Sequence, residues 1–308
     1  MRTKQRQAIQ YDFRTAAKWP VYKSMEYVKK SPLTRSGDPG PPGGALVWEP
    51  PHQRMYDPLA KMPELWLDFA NLKPKGTDQI VKFARKYGPL GLNLFMDDYP
   101  IFTEYLLHWR REIITMRALC DLYYDVQHGR SAALAHRFRP DPRDTGMVIY
   151  LYDRANSPSR YEEVVPPDKV GFGGKLEDVE LVERGWGCQA LGDLDRPLDM
   201  ARTFIAGIIE ERLYGHITPM VDTSQKEPVA VLNIPSLLGA TYMQVWLELA
   251  SGEFRKVDKC RYCEDWFKKT RSNRKYCSDS CGGSLRKMKS RAKKRRDRQP
   301  GGELSLDV

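Results

Sequence analysis

The sequence predicts an α+β chain, a mostly helical body with a few strands followed by a small zinc-binding module. Three observations carry that prediction. Apolar residues recur at three- and four-residue intervals through several segments, short β-branched and aromatic runs interrupt them, and four of six cysteines fall between Cys260 and Cys281. A chain of 308 residues is expected to form two domains at ~150 residues each. Hydrophobic residues at 41% and charged residues at 29% argue against a disordered chain, whereas 22 prolines announce loops. No run approaches ~18 uninterrupted apolar residues, so no membrane span is expected. MRTKQRQAIQYDFR has no apolar block behind its basic residues, so no secretory signal is expected and the expected compartment is the cytoplasm.

Charge is unevenly placed. Met1–Arg35 holds nine Lys/Arg against Asp12 and Glu26, and Arg255–Arg298 holds eighteen against Asp258, Glu264, Asp265, Asp279 and Asp297. With Glu303 and Asp307 in the tail and a total of +10, residues 36–254 carry −8. An acidic body between two basic ends is the footprint of a polyanion-binding protein rather than of a uniformly basic one.

The elements follow in chain order. Residues 1–44 read as a basic arm ending in the linker GDPGPPGG, which neither a helix nor a central strand tolerates. The body spans 45–254. Within Pro63–Leu72 a helix places Leu65, Trp66, Phe69 and Leu72 on one face. The next helix starts with Thr77 or Asp78 as cap, buries Ile80, Val81, Phe83 and Ala84, and stops at Tyr87-Gly88-Pro89. The longest stripe, Phe102, Tyr105, Trp109, Ile113, Met116, Cys120 and Tyr123, predicts a helix over 101–126. Met147–Asp153 reads as a strand, and Pro158–Arg184 is turn-rich. Asp199 caps a helix that ends at Gly215. The strand Val229–Ile234 leads to Ser236, cap of a helix through Ala250 bearing Leu238, Tyr242, Val245, Trp246 and Leu249 and closed by Gly252.

Catalytic signatures are weak in this body. Nothing matches HExxH, GxSxG or a phosphate loop, and Gly171–Lys175 runs into Leu176 without the required spacing. His52, His108, His128, His136 and His216 are scattered, and Cys188 has no identifiable base. Asp97/Asp98 and Glu210/Glu211 read as solvated helix ends rather than as a nuclease metal site. No catalytic residue is therefore expected.

The module, 255–299, is more specific. Cys260-x2-Cys263 and Cys277-x3-Cys281 are separated by thirteen residues, the spacing with which two tight turns supply four thiolates to one tetrahedral Zn²⁺. A pair of disulfides is the competing reading, disfavoured in a reducing cytosol. Four cysteine ligands leave no open position, so the expected zinc is structural. Trp266, Phe267 and Tyr276 supply the module's bulky core. Ser278 caps a helix running to about Arg298, in which Leu285, Met288 and Ala292 form an apolar stripe against the module. Arg286, Lys287, Lys289, Arg291, Lys293, Lys294, Arg295, Arg296 and Arg298 project outward, and their i,i+4 repulsions each cost ~0.2–0.5 kcal/mol. The distal half is expected to fray until a phosphate backbone neutralises it. Residues 300–308 form a flexible tail.

CRYCEDWFKKTRSNRKYCSDSCGGSLRKMKSRAKKR resembles the C-terminal CGNR-type zinc finger of bacterial transcription regulators. The similarity lies in the two cysteine pairs, Phe267, the loop with Arg271, Asn273, Arg274 and Lys275, the Tyr276-Cys277-Ser278 step and the basic helix. Where that family continues Cys-Gly with Asn-Arg, this chain has Gly283-Ser284. FARKYGPLGL (Phe83–Leu92) extends the resemblance weakly into the body. The resemblance implies a treble-clef-like module and a DNA-binding regulator whose body senses an unknown effector or oligomerises. Homodimerisation fits such a regulator, although no heptad argues for it. Phosphate contacts fall to the helix and to Arg271, Arg274 and Lys275, and base edges to Arg286 and Arg291. RNA is the alternative ligand, with Tyr262, Trp266 and Tyr276 as stacking candidates. A nuclease using the finger to position substrate, and a scaffold with an acidic protein partner, are the remaining alternatives.

Overall fold

The structure, a computed structural model, describes residues 14–15, 19–22, 25–30, 32–33, 37, 43–49, 52–92, 102–135, 138–140, 148–152, 181–184, 196–223 and 229–297. Asp97, Asp98, His136, the Gly171–Lys175 turn, Cys188, Arg298 and the 300–308 tail lie outside them. The chain divides into two compact units, Met1–Leu247 and Glu248–Val308.

In the first unit the strands are short, and several of their partners are remote in sequence. β1 (Arg14–Thr15), β2 (Trp19–Tyr22), β3 (Glu26–Val28), β4 (Ala45–Val47) and β5 (His52–Tyr56) precede the first helices. β2 pairs antiparallel with β5, and β3 with β4. Trp19, Val21 and Met25 are buried. The Trp19 indole donates to Pro89 O at 2.9 Å. The expected boundary at 44/45 therefore falls too late, because residues 19–28, assigned to a basic arm, supply strands and core side chains to the body. The cations on either side of this stretch draw attention from its apolar residues, whose strands find partners in β5 and β4.

α1 (Pro58–Lys61) is capped by Asp57, which accepts from Leu59 and Ala60 N–H at 2.9 and 3.1 Å. α2 (Leu65–Ala70) and α3 (Thr77–Tyr87) bury the faces their periodicity predicts. Gly76 rather than Thr77 or Asp78 is the N-cap of α3, and Gly88 ends it at φ 97°. A Cβ on Gly88 would lie 2.3 Å from Pro20 O, so the turn's handedness and its closeness to β2 both require glycine.

β6 (Thr103–Tyr105) pairs with β4, Ala45 opposite Tyr105, and α4 (Leu106–Gln127) begins only after it. The helix expected from 101 is thus shorter by one turn, since Phe102 and Tyr105 belong to the strand connection. Trp109, Ile113, Met116 and Cys120 are buried as the stripe predicts. Phe69, Phe83 and Trp109 meet with ring centroids 5.5–6.3 Å apart, the tilted and edge geometries aromatic pairs favour.

α5 (Ser131–Ala135) precedes β7 (Phe138–Pro140), β8 (Val148–Tyr152) and β9 (Leu181–Arg184), a three-stranded sheet in that order. α6 (Pro197–Leu213) starts with Pro197 after Arg196, so Asp199 lies in its first turn, paired with Arg202, and does not cap it. β10 (Thr218–Asp222) and β11 (Val229–Asn233) pair antiparallel, with β1 parallel on the other edge of β11.

α7 (Leu237–Ser251) buries Leu238, Tyr242 and Val245, while Trp246 is 40% exposed. Ser236 caps it, its Oγ accepting from Gly239 N–H at 2.9 Å. The Gln244 amide accepts from Trp66 N–H and donates to Pro58 and Met62 carbonyls, tying α7 to the first helices.

In the second unit a 3-10 turn (Glu253–Lys256), opened by Gly252 at φ 73°, leads into the hairpin β12 (Val257–Lys259) and β13 (Trp266–Lys268). Lys268 Nζ bonds Glu248 at 2.8 Å, anchoring the hairpin to the last turn of α7. α8 (Asp279–Asp297) follows.

Candidate metal centre

The residues between β12 and β13 form a tight turn. Cys260 N–H donates to Asp265 O at 2.9 Å, and Glu264 N–H to Cys260 O at 3.0 Å. Glu264 takes φ 63°, a left-handed conformation that costs a non-glycine residue ~1–2 kcal/mol. The second pair is set by a capping turn, with Cys281 N–H donating to Ser278 Oγ at 3.2 Å. Cys281 therefore lies in the first turn of α8 while Cys277 precedes it. Gly282 permits close approach, because a Cβ there would sit 3.2 Å from the Tyr276 ring.

These two turns bring the four sulfurs together. Cys263 Sγ lies 3.5 Å from Cys277 Sγ and 3.8 Å from Cys281 Sγ, and Cys277 Sγ lies 3.4 Å from Cys281 Sγ. All four ligand atoms fall within 4.8 Å of one another. A disulfide requires ~2.05 Å, and all four are free thiols, which removes the disulfide alternative. A tetrahedron with ~2.3 Å metal–sulfur bonds has edges of about 3.8 Å. The donor set and its spacing fit one tetrahedral metal ion.

The electrostatics agree. Burial opposes ionisation of Cys260, yet backbone N–H groups of Cys263, Cys277 and Tyr262 bring it down to about 7. Burial pushes Cys263 well above the usual thiol range, and burial with the Cys281 side chain raises Cys277. Sulfurs this close cannot all be anionic unless a cation sits among them. Four protein ligands fill a tetrahedral shell and leave no position for a substrate, so the centre can hold structure but not perform metal chemistry.

Around the sulfurs, Trp266 and Phe267 are buried as expected, and Tyr276 packs on Gly282. Arg274 is not an outward cation. Its guanidinium lies 5.4 Å from the Phe267 ring centroid and donates to the carbonyls of Tyr276, at 3.0 Å, and Cys277. It braces the second cysteine turn. Arg271 and Lys275 are exposed. On α8, Arg286, Lys287, Lys289, Arg291 and Lys294 are exposed, and none pairs with a carboxylate among the described residues. Lys293, Arg295 and Arg296 lie on the same helix. The stripe expected to pack inward does so only in part. Leu285 is half-buried, while Met288 is 55% exposed and Ala292 is exposed.

In the body, several titratable groups are held by burial and by structural partners. His108 is driven down to about 4 by burial and Arg111, and His216 likewise by burial and Arg212, with its Nδ1 2.6 Å from Ser236 Oγ. Both rings stay neutral at physiological pH. Glu104, which sequence reasoning did not single out, is fully buried and accepts from Leu90, Gly91 and Leu92 N–H and from the Trp109 indole at 2.6–2.9 Å. No helix among the described residues is long and apolar enough to cross a membrane. No family model matches the chain, and no curated protein matches it.

Proposed function

We propose that this chain is a nucleic-acid-binding protein, a DNA-binding transcription regulator, in which Cys260, Cys263, Cys277 and Cys281 hold one structural zinc ion. Zinc is the metal favoured by four thiolates in a tetrahedron with no redox role. The module would be treble-clef-like, with two ligands from a hairpin turn and two from the start of a helix. The body, residues up to Leu247, would sense an effector or oligomerise.

One observation carries the reading. Cys281 belongs both to the sulfur cluster and to the first turn of α8, so the ion that folds the module also fixes a helix bearing exposed, unpaired cations. Positive charge concentrated on a braced helix attracts a phosphate chain, and neutralised phosphates release counterions. The resemblance of Cys260–Arg295 to CGNR-type fingers supports the same reading. Gly283-Ser284 in place of that family's Asn-Arg leaves Arg286 and Lys287 as the first cations after the cluster.

Metal analysis and a salt-titrated binding series test it together. The expected result is one zinc per chain and an affinity that falls with log[salt] at a slope of ~0.9 per neutralised phosphate on duplex DNA. Cys277→Ser should lose zinc and binding together, and chelation followed by zinc addition should reverse the loss in the wild type. Full binding by metal-free protein would reject the model.

A further inference from the structure

Tyr262 is 44% exposed, although Trp266 and Phe267 a few residues on are buried. Its backbone N–H is directed at the Cys260 sulfur, and its side chain is left to line an open groove of about 570 Å³. The other wall is α8, contributing Ser284, Lys287, Met288, Arg291 and Ala292. Those positions recur at intervals of one helical turn, so they form a single face. Both walls are tied to the four sulfurs, Tyr262 through the first cysteine pair and α8 through Cys281. The groove exists because the cluster does.

Its chemistry is mixed in a specific way. An aromatic ring, a thioether and a methyl group make an apolar floor, Lys287 and Arg291 supply two cations, and no carboxylate lines it among the described residues. Inorganic phosphate would satisfy the cations but not the floor. An aliphatic ligand would satisfy the floor but leave the cations unmatched. A nucleotide with an unpaired base satisfies both, because every base has a π-face and its flanking phosphates are anionic. The volume lies within the ~300–1,000 Å³ typical of small-ligand clefts. In a duplex the bases stay stacked on one another and only the cations would be engaged.

Resting on the nucleic-acid reading above, we propose that this groove receives an unpaired base of a single strand, stacked on Tyr262 and in contact with Met288, with the adjoining phosphates on Lys287 and Arg291. The groove then adds capture of an unpaired base to the phosphate contacts of α8.

The test uses the full zinc-loaded chain and fluorescently labelled oligonucleotides of equal phosphate number: a DNA strand, an RNA strand, an abasic strand and a duplex. The base-bearing strands should bind about five- to hundredfold more tightly than the abasic strand. Tyr262→Ala should bring that ratio toward one while retaining its zinc, and Tyr262→Phe should preserve it. Lys287→Ala with Arg291→Ala should weaken base-bearing and abasic strands alike and reduce the salt slope.

Equal binding of base-bearing and abasic strands, or a ratio that survives Tyr262→Ala, would overturn the groove's role while leaving phosphate binding intact. No binding of any oligonucleotide would reject the nucleic-acid reading and the groove together. An acidic aromatic peptide that binds more tightly than any strand, in a Tyr262-dependent manner, would overturn the proposal in favour of a protein partner.

Discussion

Glu104 shows how one side chain can organise a fold without advertising itself. Its Oε1 accepts from Gly91 and Leu92, and its Oε2 from Leu90 and Trp109. Every lone-pair direction of the carboxylate therefore meets a donor. Burial pushes its carboxyl up to about 7 against those four donors, which favour the anion. Glu104→Gln keeps the shape but turns an –NH₂ toward two N–H groups that then have no acceptor. Because burial outweighs the four donors, ionising the carboxyl destabilises the fold, so wild-type stability in denaturant unfolding should fall as pH rises from about 5 to 8, while that of Glu104→Gln should not. A wild-type stability that stays flat over that range would show that the four donors fully offset burial of the anion. Apart from Trp109, nothing local in TEYLLHW marks the role, because the other three donors come from residues 12–14 positions earlier. Arg274 teaches the same lesson in reverse. Its neighbours Arg271 and Lys275 are exposed cations, and only the folded turn reveals that Arg274 is consumed by two carbonyls.

At the scale of elements, what the sequence discloses depends on how local the cause is. Cysteine spacing is local, and the four sulfurs meet as Cys260-x2-Cys263 and Cys277-x3-Cys281 require. Helical stripes are local too, and Trp109, Ile113, Met116 and Cys120 are buried as their intervals predict. Strand pairing is not local. β1 pairs with β11, Arg14 opposite Val231, and no pattern near Arg14 indicates a partner so distant. The basic character of the first thirty residues then suggests a solvated arm where Trp19, Val21 and Met25 enter the core. The groove is hidden for a related reason, since Tyr262 lies exposed in the turn between β12 and β13, whereas Trp266 is buried opposite Lys259 within the hairpin. Within α8 the adjacent glycines divide the same way. A Cβ at Gly283 meets nothing within 4 Å, whereas one at Gly282 meets the Tyr276 ring at 3.2 Å. Gly283→Ala should stabilise the module by ~0.5–1 kcal/mol through helix propensity alone. Gly282→Ala should forfeit that gain by displacing Tyr276, so thermal melts of the two zinc-loaded variants should move apart. Equal shifts would mean that Tyr276 yields freely.

For the whole molecule, the two units differ in what folds them. The first has an aromatic and aliphatic core, Trp66, Phe69, Trp109 and Tyr242 among its fully buried side chains. The second, Glu248–Val308, buries chiefly Phe254, Val257, Trp266 and Phe267, while α8 spends much of its length on cations that repel one another. So small an apolar core does not usually hold a unit of this size without a staple, and for such modules metal-binding free energy is folding free energy. Chelation should therefore act on one unit and spare the other. Amides of β12, β13 and α8 should lose their exchange protection when the metal is removed, while those of α4 and of Tyr242 and Val245 in α7 keep theirs. Readdition of zinc should restore the first set. A strand bound along α8 would add protection to its distal turns in the zinc-loaded chain, because phosphates remove the i,i+4 repulsion that frays them. If the amides of α4 are deprotected along with the hairpin, the units fold as one and the ion stabilises more than its own module. If α8 stays protected without metal, its order has a source other than Cys281, and the link between ion and cationic helix is broken.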